Sequence, residues 1–168
     1  MPQQLFTADQ LDLLFERDSS NAFSEWVASD AQLTQWVLAA LTHSLPEDLL
    51  SHRVEVSISC VSAERIGELN SHYRSTDKPT NVLSYESDEL PIALLGDVIV
   101  CPEVLVAEAQ EQGKSIEHHW AHMVIHSVLH LNGFDHEDEN TAQAMESLEI
   151  QILSTLGISN PYLAIAAK

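Results

Sequence analysis

Six of the nine histidines in this 168-residue chain fall between His118 and His136. His118, His122, His126 and His130 stand four apart in a stretch with helical periodicity. Residues at that spacing share one helix face with Cβ atoms ~5–6 Å apart, close enough for two neighbours to hold one metal ion. The outer two cannot share an ion, because twelve residues of helix cover roughly 18 Å. Spacing alone therefore leaves three candidate pairs. Gly133 and His136 select one of them. A glycine three residues after His130 can end the helix in a left-handed conformation and turn the chain. His136 then folds back onto the face that carries His126 and His130. Three imidazoles at ~2.0–2.1 Å from a zinc ion leave a fourth position open, which is the catalytic arrangement; closed structural sites take four ligands, often cysteines. The two cysteines, Cys60 and Cys101, lie far from this segment. His118, His119 and His122 read better as packing residues, or as supports behind the ligands.

The pattern His126-x3-His130-x2-Gly133-x2-His136 has the ligand spacing of metzincin peptidases. Those enzymes carry a glutamate general base directly after the first histidine. Here that residue is Ser127, which cannot take a proton from a zinc-bound water at neutral pH. A peptidase acting by that route lacks its base. Phosphodiester cleavage stays open, because zinc lowers the pKa of water and polarises a phosphoryl oxygen.

The elements that must position these residues are legible along the chain. Residues 11–16 alternate as a first strand, and Leu33, Trp36, Val37, Ala40 and Leu41 mark a helix over 30–42 with Asp30 as its cap. Residues 53–61 place Val54, Val56, Ile58 and Cys60 on one face of a half-buried strand. Ser62 caps a helix running to about Tyr73, and a polar turn at Asp77-Lys78-Pro79 precedes a short strand from Asn81 to Tyr85. A further strand spans 94–101, with an interruption expected at Gly96-Asp97. Pro102 starts a helix that ends near Gly113, Ser115 begins another through Leu131, and a last one runs from about Glu139 to Leu156 and is closed by Gly157. Asp77 and Asp97 read as turn residues, whereas Asp135 either orients an imidazole or caps the turn. The predicted fold is α+β: a small mixed four-stranded sheet packed with about five helices. The zinc site lies in a cleft at the end of a helix in the C-terminal half. One metal-dependent hydrolase domain is expected over 1–168.

Composition narrows the setting. Hydrophobic residues make up 45% of the chain, which suits an ordinary globule. The start, MPQQLFTADQLD, has no basic region leading into an apolar run, and no stretch approaches the ~20 apolar residues of a membrane span. Two cysteines within apolar segments read as buried thiols of a reducing compartment, so a cytoplasmic protein with no membrane partner is expected. Seven Lys+Arg against 26 Asp+Glu give a formal net charge of −19, which repels polyanions at long range. Any nucleic-acid site must therefore be local. Arg65, Arg74 and Lys78 do fall within one short stretch.

The run HSVLHLNGFDH (126–136) resembles the signature of the YbeY family, zinc-dependent endoribonucleases of ribosomal RNA maturation. LNSHYRSTDKPTNVLSY (69–85) is similar to that family's Leu-Asn-x-x-Tyr-Arg and Pro-Thr-Asn-Val-Leu-Ser blocks, and LLGDVIVCP (94–102) to its Leu-Gly-Asp strand. EAQEQGK (108–114), HWAHM (119–123) and LGISNPY (156–162) fit as well, so the likeness covers about residues 11–162 in order. Ser127 stands where the family commonly has glycine, Phe134 where it has tyrosine, and Thr76 where it has lysine. The resemblance implies a cleft enzyme with one zinc ion on His126, His130 and His136, and Arg74 as its functional arginine. It implies single-stranded RNA as substrate, above all precursor ribosomal RNA near the 3′ end of 16S. Ribosome quality control and contact with the small ribosomal subunit and its proteins follow from it too, with no DNA substrate expected. A guanidinium suits that role independently, since its planar fork matches phosphate and stays charged. Two alternatives stand beside this reading: a metzincin-like metallohydrolase acting on peptides, and a non-catalytic zinc-stabilised ribosome-assembly factor.

Overall fold

The computed structural model describes residues 7–17, 26–45, 53–74, 82–86, 94–132 and 138–162; at 8, 17, 71–74, 82–86, 94 and 95 it describes the backbone alone. A single 3-10 turn, Ala8–Gln10, leads into strand β1 (Leu11–Arg17). Helix α1 (Asp30–Ser44), strand β2 (Val54–Cys60), helix α2 (Ala63–Arg74), and strands β3 (Val82–Glu86) and β4 (Leu94–Val100) follow. Helices α3 (Pro102–Gln112), α4 (Ile116–Leu131) and α5 (Glu139–Thr155) complete the order, strands and helices alternating first and helices alone afterwards.

Local chemistry explains most of the boundaries. In β2, Val54, Val56, Ile58 and Cys60 are buried while the residues between them are not, as a strand with one face in the core requires. The cap of α1 is Ser29 rather than the expected Asp30. Its Oγ accepts from Gln32 N at 3.2 Å, and the Gln32 side chain accepts from Ser29 N at 2.9 Å, a reciprocal pair that Asp30 one residue later cannot form. Ser62 accepts from Arg65 N at the start of α2. Pro102 occupies the first turn of α3, whose end is marked by Gly113 at φ 68°, a left-handed backbone that glycine takes without strain. Ser115 caps α4 and Asp138 caps α5.

The four strands form one sheet in the order β1-β2-β4-β3. β1, β2 and β4 run parallel, and β3 lies antiparallel on the outer side of β4. Parallel neighbours need a crossover, and α1 supplies the one between β1 and β2. The interruption expected at Gly96-Asp97 does not occur. β4 runs through both residues, Gly96 pairing with Val56 and Glu86, and the irregularity sits instead as a register shift between Glu55 and Val56 of β2. Asp97 is accordingly an exposed strand residue, not a turn residue.

Val98 and Val100 of β4 join Val54, Val56 and Ile58 of β2 in a main core shared with α1, α4 and α5. Ile99 points the other way and packs with Val61, Ile66, Leu69 and Cys101, which places α2 on the opposite face of the sheet. Both cysteines are fully buried, as their apolar surroundings imply. Helix α4 is the hub: it packs against α1, α3, α5, β3 and β4. Among the described residues, no helix is long and apolar enough to cross a membrane.

Candidate active site

Helix α4 presents two unlike faces. Trp120, Ala121, Val124, Ile125, Val128 and Leu129 are buried in the core. The other face carries the histidines: His118 exposed, His122 buried, His126 and His130 half-buried. His122 and His126 are one turn apart with ring centroids 6.4 Å apart and planes at 79°. The four-residue spacing therefore does put these rings on one line, as their positions imply.

Beneath that line sits an acid that sequence reasoning missed. Glu149 of α5 is fully buried, and its carboxylate faces three donors. His126 Nδ1 lies 2.6 Å from Oε2, His122 Nε2 lies 2.8 Å from Oε1, and the Tyr162 hydroxyl donates to the same Oε1. Tyr162 also comes within 3.1 Å of His122 Nε2 and stands edge-on to its ring, centroids 5.2 Å apart. Burial alone pushes the Glu149 carboxyl up. The hydrogen bonds from His122 and His126, the charge of His126 and the hydrogen bond from Tyr162 outweigh it and hold the group down at about 2. Burial depresses His122 against the opposing pull of Glu149, so its ring is held neutral. Burial, then the adjacent carboxylate, drives the Tyr162 phenol upward, which keeps its proton in place as a donor.

The signal for Glu149 was present in the sequence. On α5 the buried stripe reads Met145, Glu149, Ile152, Leu153. An acid where the helical period calls for an apolar side chain needs a partner to stay there. His122, expected to pack or to support the site, is buried and hydrogen-bonded to Glu149, the carboxylate that also meets His126. His119 does something similar one turn earlier: its Nε2 is 3.0 Å from Glu108 Oε1, which ties α3 to α4.

The donor set suits a borderline cation such as zinc, which takes imidazole nitrogens readily. His126 and His130 lie one turn apart on a helix fixed in the core, and since Nδ1 of His126 meets Glu149, Nε2 is the nitrogen that this ring would offer to a metal. Among the described residues, no three His, Cys, Asp or Glu side chains converge as a metal site; Gly133, Phe134, Asp135 and His136 lie outside them.

The remaining sequence candidates are placed unevenly. Arg74 is the last residue of α2, which packs against β3, the strand that α4 contacts in turn; its side chain is outside the described part. Asp77 and Lys78 lie outside the described residues. Arg65 is exposed and pairs with Glu68 on its own helix at 3.2 Å. Ser127, which takes the position of the peptidase base, is buried with its hydroxyl donating to Met123 O at 2.9 Å. The peptidase alternative finds no support in that geometry.

Comparison with known proteins agrees with these features. The family described as Endoribonuclease YbeY matches residues 19–157. The solution structure of TM1509 from Thermotoga maritima is similar in fold, with 22% identity and a TM-score of 0.53 over 90% of this chain and 99% of that one. A match spanning so much of the sequence decides the family: the chain belongs to the YbeY endoribonucleases, enzymes of ribosomal RNA processing.

Proposed function

We propose that this chain is a zinc-dependent, single-strand-specific endoribonuclease that matures ribosomal RNA at the 3′ end of 16S and takes part in ribosome quality control. His126, His130 and His136 hold one zinc ion, and Arg74 binds the scissile phosphate. The whole chain acts as one hydrolase domain, in the cytoplasm, on precursor RNA presented by the small ribosomal subunit. The observation that carries the reading is the pair His126 and His130, one turn apart on the core-anchored α4 of an endoribonuclease-family chain.

A zinc ion at these imidazoles supplies Lewis acidity toward a phosphoryl oxygen and toward water. The chain's own residues do the rest. Helix α4 is fixed by its buried face, so His126 and His130 keep their spacing when substrate binds. Arg74 offers two parallel N–H donors to non-bridging phosphate oxygens, and this interaction strengthens as charge builds up on them. Selectivity for single strands follows from the need to bring a phosphate down to imidazoles that are only half-exposed.

Metal analysis paired with RNA cleavage tests the proposal. Wild type is expected to carry one zinc ion per chain and to cleave a single-stranded RNA, whereas His126→Ala loses both. Full zinc content in His126→Ala would sink the site. Zinc-loaded wild type that leaves RNA intact would sink the activity in favour of a zinc-stabilised assembly factor.

A further inference from the structure

We infer that Glu149 is a positioning residue for His126: its carboxylate fixes Nδ1 as the N–H nitrogen and so commits Nε2 to the metal. The inference rests on the reading of His126 as a ligand and adds how that ligand is aimed.

An ionised carboxylate has acceptors only. The His126 nitrogen 2.6 Å from Oε2 must therefore carry the hydrogen, and a neutral imidazole has only one to carry. Its lone pair is then on Nε2, the form a metal ligand needs. The other oxygen of Glu149 is held at the same time by His122 Nε2 and the Tyr162 hydroxyl. Turning away from His126 would break those bonds as well, and the fully buried carboxylate has no water to replace them. Stability alone does not call for an acid here. Met145, Ile152 and Leu153 make the rest of this stripe apolar, and a wholly apolar cluster, with the three donors replaced along with the acid, would serve a core at least as well as a buried charge. What the acid adds is direction. Carboxylates behind ligating histidines set tautomer and ring orientation in just this way.

Glu149→Gln tests the point, because it leaves one acceptor oxygen for three donors and sets an NH2 group against one of them. Two readouts are needed, both on folded protein. In metal-free wild type, at a pH where the ring is neutral, long-range 1H–15N spectra should show His126 with its hydrogen on Nδ1. In Glu149→Gln the hydrogen should move toward Nε2, and zinc affinity measured against a chromophoric chelator should fall about 10- to 100-fold. Tyr162→Phe keeps the His126 contact and should change affinity by less than about threefold, far below the loss that removal of an orienting partner brings. A wild-type His126 with its hydrogen on Nε2 overturns the inference, as does a folded Glu149→Gln protein with wild-type zinc affinity. If Glu149→Gln does not fold, the wild-type tautomer decides alone. Zinc retained by His126→Ala would instead defeat the ligand assignment itself. Zinc lost there but held normally by Glu149→Gln defeats only the positioning role.

Discussion

His122 Nε2 and Glu149 Oε1 meet at 2.8 Å across the contact between α4 and α5, with both side chains shut away from solvent. Replacing Glu149 by Leu removes the acceptor for His122, His126 and Tyr162 together and leaves buried donors unpaired. Loss of one partner of such a buried set costs about 3 kcal/mol. Urea denaturation of metal-free Glu149→Leu should show a loss of that size. A loss under about 1 kcal/mol would mean that the surrounding core takes up the change and that the cluster adds nothing to stability.

Acid should weaken the metal-free protein in two stages. His122 is held below its ordinary 6.5, so the unfolded chain takes up that proton first and stability falls as pH drops beneath 6.5. Glu149 is held at about 2 against an ordinary 4.5. Its contribution is complete above 4.5 and is lost as pH falls from there toward 2. Denaturation midpoints across a pH series should decline through both windows. Glu149→Gln should flatten the lower one; an unchanged lower slope in that variant would assign the acid sensitivity to other carboxylates.

Arg74 is the last residue of α2. Arg74→Ala should keep its zinc and its melting temperature while kcat for RNA cleavage falls about 100-fold, the usual loss when one donor to a charged transition state is removed. A variant that cleaves at the wild-type rate removes Arg74 from the mechanism.

The chain's net charge of −19 opposes RNA at long range, so capture depends on a few local cations. Cleavage of naked RNA should weaken as salt rises, with a log–log slope of about −0.7 per phosphate contact and only two or three contacts in all. KM measured across a salt series reads that slope directly. A flat dependence would remove local cation contacts from substrate capture.

The parts of this molecule that were readable in the sequence are those governed by neighbours along the chain. The alternation of Val54, Val56, Ile58 and Cys60 foretold β2 and its buried face. The serines at 62 and 115 foretold two helix starts. At the start of α1 the sequence points to Asp30, and only the reciprocal bond with Gln32 distinguishes its neighbour Ser29 as the cap. The strand break expected at Gly96-Asp97 failed for a different reason. Pairing on both sides, with β2 and with β3, carries β4 through a glycine that its own propensity would not support.

The candidate site divides in the same way. Spacing along one helix was enough to align His122 and His126. Glu149 lies 23 residues beyond His126 on another helix, and only tertiary packing of α5 against α4 brings the two together. Position along α5 marked it as an acid in an apolar stripe, but nothing local named its partners. Ser127 is wrong for a peptidase base by residue type alone, and its hydroxyl serves the helix backbone instead.

One consequence of the central position of α4 concerns how this enzyme can diverge. Trp120, Val124, Ile125, Val128 and Leu129 are all fully enclosed, and the opposite face is taken up by histidines held to acids. A helix with so few unconstrained positions leaves little room for substitution. New preferences for sequence or partner must arise outside it, at exposed positions that touch neither the core nor the imidazoles.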